Sequence, residues 1–341
     1  MRYTGSMTYK TKRETQARCL PEDWDRLAGD NPYLKRDFLA FVEETEEDYH
    51  PVYHMIFGAE GRLDSYFVAF RRRGYNLGMF SPVNLPISVT LIYLPMCVTR
   101  SGVVLGELRE AVFREIRTIK GFKMVLNLPD GDVDGFAVGL TCSKCILTLR
   151  WDSFADYLNS MRSSYRNHYK RILNKSAGLT IRYLEENSAF DDRLYRLYRN
   201  VVDRSRVKIE TLSKAYFQGS QFRLFAAEYR GEPVGFVQLL ENGEELIFEF
   251  VGVDYSCNAH IPVYHRMLLE IVDYGLRKGF RTIDFGQTAD DTKLKLGCGY
   301  TYLYAALHHS NPLVNGICRR FAPFLEYKPL KTRFRVFKEK L

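Results

Sequence analysis

The sequence predicts an α/β fold built twice in tandem, each half a mixed, mostly antiparallel sheet flanked by helices. Two observations carry this: the same order of helix, hairpin strands, helix and strand runs through both halves, and two short segments recur at similar offset. The length of 341 residues agrees, because a single core rarely grows that large.

In the second half, Ser153 to Lys175 sets Phe154, Leu158, Met161, Tyr165, Tyr169 and Ile172 at helical spacing, with Asp152 or Ser153 as cap, and predicts one helix. Asp191 to Val202 predicts another. The period then changes. Phe222 to Tyr229, Val234 to Leu240 and Leu246 to Val253 read as strands joined by the turns Arg230-Gly231-Glu232-Pro233 and Glu241-Asn242-Gly243-Glu244. An amphipathic helix over Val263 to Lys278 stops at Gly279, and the strand Arg281 to Phe285 follows.

The first half repeats the series. Helix Lys35 to Glu44 precedes strands Tyr53 to Gly58 and Asp64 to Phe70, and helix Leu105 to Lys120 precedes strand Lys123 to Leu128. Lys120-Gly121-Phe122-Lys123 matches Lys278-Gly279-Phe280-Arg281, and Ala59-Glu60-Gly61-Arg62 matches Ala227-Glu228-Tyr229-Arg230, each pair roughly 160 residues apart. The reading sets domains at 19–150 and 151–311, the first completed by a helical C-terminal stretch over 312–341.

A formal charge of +8 favours phosphate-bearing partners without requiring one. Seven cysteines are an odd count for a disulfide framework and read as reduced thiols. Cys142-Ser143-Lys144-Cys145 has metal spacing, but no second pair follows and its surroundings read as strand, so no metal is expected. Met1 to Arg18 is polar, and the apolar run Leu91 to Val98 is short and broken by Pro95, so neither a signal peptide nor a transmembrane segment is expected and a cytoplasmic enzyme is the default.

Hairpin-rich antiparallel strands followed by a helix and a further strand form the order of the GNAT superfamily. Tyr264 to Gly286, with its Lys-Gly-Phe turn and Asp284-Phe285-Gly286 strand, then Lys293 and Gly297, resembles the FemAB-like and BioF2-like branch with duplicated GNAT domains. Arg166-Asn167-His168-Tyr169-Lys170-Arg171 and Asn31-Pro32-Tyr33-Leu34 resemble that branch too, so the likeness touches nearly the whole chain. The resemblance implies transfer of an acyl or aminoacyl group to an amine, with aminoacyl-tRNA or acyl-CoA as co-substrate, a small-molecule, peptide-like or cell-wall-precursor acceptor, and no tightly bound cofactor.

It also directs attention to particular residues. Lys293 corresponds to a lysine that Fem-type relatives associate with the aminoacyl end of tRNA, although Thr292 replaces the phenylalanine that commonly precedes it, and Lys295 is an alternative cation. Amide formation needs a proton acceptor. Glu249 lies in the strand that often offers one, and is otherwise an exposed hairpin position. Asp284 either lines the cleft or caps the turn at Gly286-Gln287-Thr288.

Arg162, Arg166 and Lys170 recur every four residues, as a phosphate-binding face or a solvated one. Where acetyl-CoA-dependent members place a glycine-rich loop, this chain has Ser256 to Val263 without glycine, including Asn258, His260 and Pro262, with Tyr264 just beyond. That loss favours an aminoacyl-tRNA donor over CoA. A non-catalytic RNA- or partner-binding module is the third reading.

Overall fold

The computed structural model describes residues 8–94, 99–205, 211–332 and 334–338. Met1 to Met7, and the part of the apolar run that contains Pro95, lie outside them. The chain forms two compact units, Met1–Cys142 with Tyr302–Lys328, and Ser143–Thr301 with Pro329–Leu341.

In chain order the first part carries β1 (Lys10–Glu14), α1 (Glu22–Ala28), α2 (Arg36–Thr45), β2 (Val52–Phe57), β3 (Leu63–Asn76), β4 (Pro86–Ile92), β5 (Val103–Val104), α3 (Arg109–Thr118), β6 (Phe122–Leu128) and β7 (Ala137–Leu140). There follow β8 (Lys144–Thr148), α4 (Phe154–Ser160), α5 (Ser163–Lys175), β9 (Leu179–Tyr183), α6 (Asp192–Arg204), α7 (Lys214–Phe217), β10 (Phe222–Tyr229), β11 (Glu232–Asn242) and β12 (Glu245–Val253). The last part holds α8 (Tyr255–Asn258), α9 (Val263–Lys278), β13 (Thr282–Asp284), α10 (Asp290–Lys295), β14 (Gly299–Thr301), β15 (Tyr304–His309) and α11 (Pro312–Leu325).

The first sheet runs β1-β2-β3-β4-β6-β15-β7, with β5 added to β3, and the second runs β9-β10-β11-β12-β13-β8-β14. The two orders are equivalent position by position. In each, an antiparallel hairpin series ends in a parallel pair, β4 with β6 and β12 with β13, bridged by the helix α3 or α9. In each, the next strand is antiparallel and comes from the other half of the sequence: β15 pairs β6, and β8 pairs β13.

The exchange moves two segments from where the sequence reading put them. Strand 144–148, expected at the end of the first half, belongs to the second sheet, and strand 304–309, expected in the second half, belongs to the first. The C-terminal stretch divides too. Helix α11 packs on β7 and β15, whereas Val336 and Phe337 enter the second core beside Leu147, Met267 and Ile283.

The recurring Lys-Gly-Phe segment keeps the same glycine conformation in both copies. Gly121 (φ 78°) and Gly279 (φ 76°) both take the left-handed region, where a side chain is strained, just before a strand; Gly279 is the C-cap of α9, whereas α3 already ends at Thr118 with Ile119 extended. The helix expected over 153–175 is two helices. Met161 forms an isolated bridge with Phe337, Arg162 donates its backbone N–H to Val336 O (2.9 Å), and Lys338 donates to Ser160 O (3.0 Å). The C-terminal strand segment thus claims backbone groups that a continuous helix would have used.

His54 on β2 lies almost wholly buried, stacked on Phe67 at 4.3 Å, and burial lowers its pKa to about 4. Below the ordinary histidine pKa the unfolded chain takes a proton that the folded one refuses, so stability falls as pH drops from about 6.5 to 4. At pH 4.5 the loss from this residue is about 2 to 3 kcal/mol. His54→Phe is expected to remove that increment, measured as the difference in urea midpoint between pH 7 and pH 4.5 for the two proteins.

Candidate active site

The second sheet opens where the parallel pair stops. β12 and β13 are in register only through Glu245↔Thr282, Leu246↔Ile283 and Ile247↔Asp284, after which β12 continues to Val253 and β13 ends. At the point of parting, Leu239 pairs with Phe248 and Gln238 with Phe250, so Glu249 is the additional residue of a β-bulge. Bulges re-aim side chains. Glu249 is 5% exposed and so is not the open hairpin position that alternation permitted. Beside it, Gln238 is fully buried and its amide atoms have no hydrogen-bond partner, a polar residue within the buried run Val234 to Leu240.

Beyond β13 the chain turns sharply. Gly286 (φ 73°), Thr288 (φ 64°) and Ala289 (φ 52°) all take left-handed backbone, which for the two non-glycine residues costs about 1 to 3 kcal/mol each. Asp284 is fully buried, and one oxygen accepts the Gly286 N–H at 2.8 Å, so it caps this turn. The turn aims the Gln287 carbonyl at Lys293, whose Nζ donates to it at 2.7 Å.

Lys293 is therefore not a surface cation. It is 3% exposed, with Nζ 5.9 Å from the Phe248 ring centroid. Burial pulls its ammonium below the ordinary lysine range, opposed by the Cys145 and Cys298 thiols and the Asp284 and Asp290 carboxylates. Burial in turn raises the Cys145 thiol to about 12. The two cysteines beside Lys293 are a feature that sequence reading missed, since Cys145 reads there simply as part of a strand. Gly297 closes the segment at φ 98°, and a Cβ there would stand 2.2 Å from the Phe337 ring, which accounts for a glycine four residues after the lysine.

The residues expected to grip the donor divide into two groups. Arg162 is the N-cap residue of α5, with Nε donating to Phe337 O at 3.2 Å, and Arg166 donates to Asn159 O (3.4 Å) and Met161 O (3.2 Å). The cationic stripe is thus interrupted at the helix break, and its two arginines fasten backbone. Lys170 is exposed. Lys295 pairs with Asp291 at 2.5 Å and lies 5.5 Å from the Phe334 ring.

The second group gathers at the start of α9. Asn258 accepts the Tyr264 N–H at 3.0 Å, and the Val263 N–H goes to Ile261 O at 2.7 Å. Amides that an anion would otherwise meet are occupied within the chain. His260 is exposed. Burial raises the Tyr264 phenol, with Tyr255 and Cys145 adding to the effect. His168 and His265 stand 6.4 Å apart, and burial lowers both, helped by Lys295 and, for His168, by Arg171. Among the described residues, no group of three or more His, Cys, Asp or Glu side chains comes together as a metal site.

Residues 159–294 match the family described as an acetyltransferase (GNAT) domain, a span that contains the bulge, the Asp284 turn and Lys293. Among solved structures, the chain is similar to a tandem GNAT protein from the clavulanic acid biosynthesis pathway, with TM-score 0.54, 11% identity, and 89% of this chain and 99% of that one covered. It is similar also to FemX, with TM-score 0.50, 11% identity and coverage of 91% and 100%. Saccharomyces cerevisiae N-myristoyltransferase gives TM-score 0.50, 12% identity and coverage of 87% and 80%. At such identities these structures speak for the fold alone. No curated protein sequence matches the chain. Residues 159–294 thus match a GNAT acyltransferase domain, and the fold of the chain is similar to that of the tandem GNAT protein and of FemX.

Proposed function

We propose that the second unit forms an amide between an activated acyl group and an amine, with an aminoacyl-tRNA ester as donor and a peptide-like or cell-wall-precursor amine as acceptor. The observation that carries acyl transfer is the parting of β12 from β13 at the Glu249 bulge, which leaves space for a carbonyl between strands. The observation that favours an ester over CoA is the start of α9, where Asn258 and Ile261 already accept the amides that would cradle a pyrophosphate.

In this reading the amine nitrogen attacks the ester carbonyl, the new C–N bond forms and the C–O bond to the ribose breaks. Glu249 takes the amine's proton through water, and the departing oxygen is protonated from solvent. Lys293, buried and held by Gln287, stabilises the negative charge that develops on the carbonyl oxygen, an effect strengthened by the low-dielectric surroundings. Asp284 positions the turn that presents Gln287. Arg166, Lys170 and Lys295 supply the positive charge toward which phosphates are drawn, Lys170 as an open cation and Arg162 as part of the frame.

A second reading, an acyl-CoA-dependent N-acyltransferase, is favoured by the acetyltransferase description of the matching family. The purified protein mixed with an amine and either charged tRNA or CoA esters separates the two by which donor is consumed. Deacylation of the tRNA with amide formation is the expected result. Consumption of the thioester, with a rise in melting temperature at millimolar CoA, would transfer the assignment to the second reading. Binding of RNA without turnover of either donor would leave a non-catalytic module.

Lys293→Met keeps the side chain's volume and removes its charge, and turnover is expected to fall by at least about tenfold with melting shifted by a few degrees at most. Lys293→Ala is expected to be less stable, because it leaves a void in the core. Turnover at the wild-type rate in the methionine variant would take Lys293 out of the site. If the charged lysine is the working form, activity is present below its depressed pKa and is lost as pH rises through it, at lower pH than an ordinary lysine would dictate.

A further inference from the structure

The first unit contains a cavity of about 250 Å³ that the chemistry above does not use. Its floor is the sheet face at Met124, Leu126 and Leu307, its end is Phe80 from the loop after β3, and its roof is α11 through Ile317 and Phe321. Polar groups at its edge are committed elsewhere: the Tyr75 hydroxyl lies 4.0 Å from the Met79 sulfur, and Glu326 accepts the Leu140 N–H at 3.2 Å. A polar ligand would therefore lose its water without recovering those hydrogen bonds. An apolar cavity of about 150 Å³ already stays dry and accepts benzene, so this larger one takes more hydrocarbon than a single ring.

The roof is built as an entrance. Leu313 (80% exposed), Ile317 (59%), Phe321 (53%) and Phe324 (64%) follow at helical spacing, so α11 presents an apolar stripe to solvent. Ile317 and Phe321 belong to both the stripe and the cavity wall, which means the cavity opens along this helix. No α11 residue is buried, and the helix contains Gly316 and Pro323, so little packing fixes it against small displacements. Arg319 and Arg320 are exposed on the helix outside the cavity wall, and the one carboxylate of the wall, Glu326, accepts the Leu140 N–H; the two guanidiniums favour an anionic head outside the cavity beside an apolar chain within it.

We propose that this cavity binds one hydrocarbon chain of an anionic amphiphile of the fatty-acid type. The assignment does not depend on which acyl donor the second unit uses. Titration of the full chain with the fluorescent fatty acid cis-parinaric acid is expected to give saturable binding. Ala322→Phe, which fills the cavity from α11, and Phe321→Asp, which puts a charge in its wall, are each expected to weaken it at least tenfold with melting unchanged. Absence of saturable binding to the wild type, or equal binding by both variants, would overturn the proposal.

The source of the chain is read separately with vesicles of dioleoylphosphatidylglycerol and the variant Leu313→Glu/Phe324→Glu, which alters the stripe away from the cavity. Vesicle association that this variant loses, with probe binding retained, supports the cavity with a membrane lipid as its source. Probe binding without vesicle association supports the cavity with a free amphiphile. Vesicle association without probe binding would overturn the cavity assignment.

Discussion

A strand added in parallel to an antiparallel sheet still has one bare edge, and its backbone groups must be satisfied from the far side. In both units of this chain that partner is supplied by the other half of the sequence, β15 for β6 and β8 for β13. The rest of the second unit follows from it. Because β8 holds β13 from one side, β13 can stop pairing with β12 after Asp284, and the opening beside Glu249 is kept without an unsupported strand. Cys145, the residue next to the last position of β8 paired with β13, is fixed to the Asp284 turn by two backbone hydrogen bonds, Phe285 N–H to Cys145 O (2.9 Å) and Cys145 N–H to Gly286 O (3.0 Å).

Much of this was legible in sequence wherever local periodicity decides. The helix over 263–278 and its glycine stop, the strand 222–229 and the recurring turn are set by neighbours a few residues away, and the structure shows them at those positions. What was not legible is decided across long separations. Ser153 to Lys175 has unbroken helical spacing, yet Phe337 interrupts it at Met161 by a backbone bridge no local pattern encodes. Domain bounds of 19–150 and 151–311 follow proximity in sequence, and the sheet ordering disregards that proximity at residues 144–148 and 304–309.

The candidate site shows the same division. Asp290-Asp291-Thr292-Lys293-Leu294-Lys295 alternates charges as a solvated helix does, and Lys295 with Asp291 behaves accordingly. Lys293, two residues earlier, is buried by its placement over Phe248 and under the Gln287 carbonyl, a matter of tertiary structure. Its candidacy was read from resemblance, while its buried surroundings, with two thiols and two carboxylates, became visible only in three dimensions.

The crossed strands also bear on how the chain reaches its native state during synthesis. The first sheet needs β15, which begins at Tyr304, so it cannot finish its hydrogen bonding until residues 304–309 have left the ribosome. At ordinary elongation rates the stretch from the end of β6 to the start of β15 takes roughly 9 to 35 s, long compared with the folding of an independent small domain. During it, the edge of β6 waits uncovered on the nascent chain, open to pairing with any other free strand.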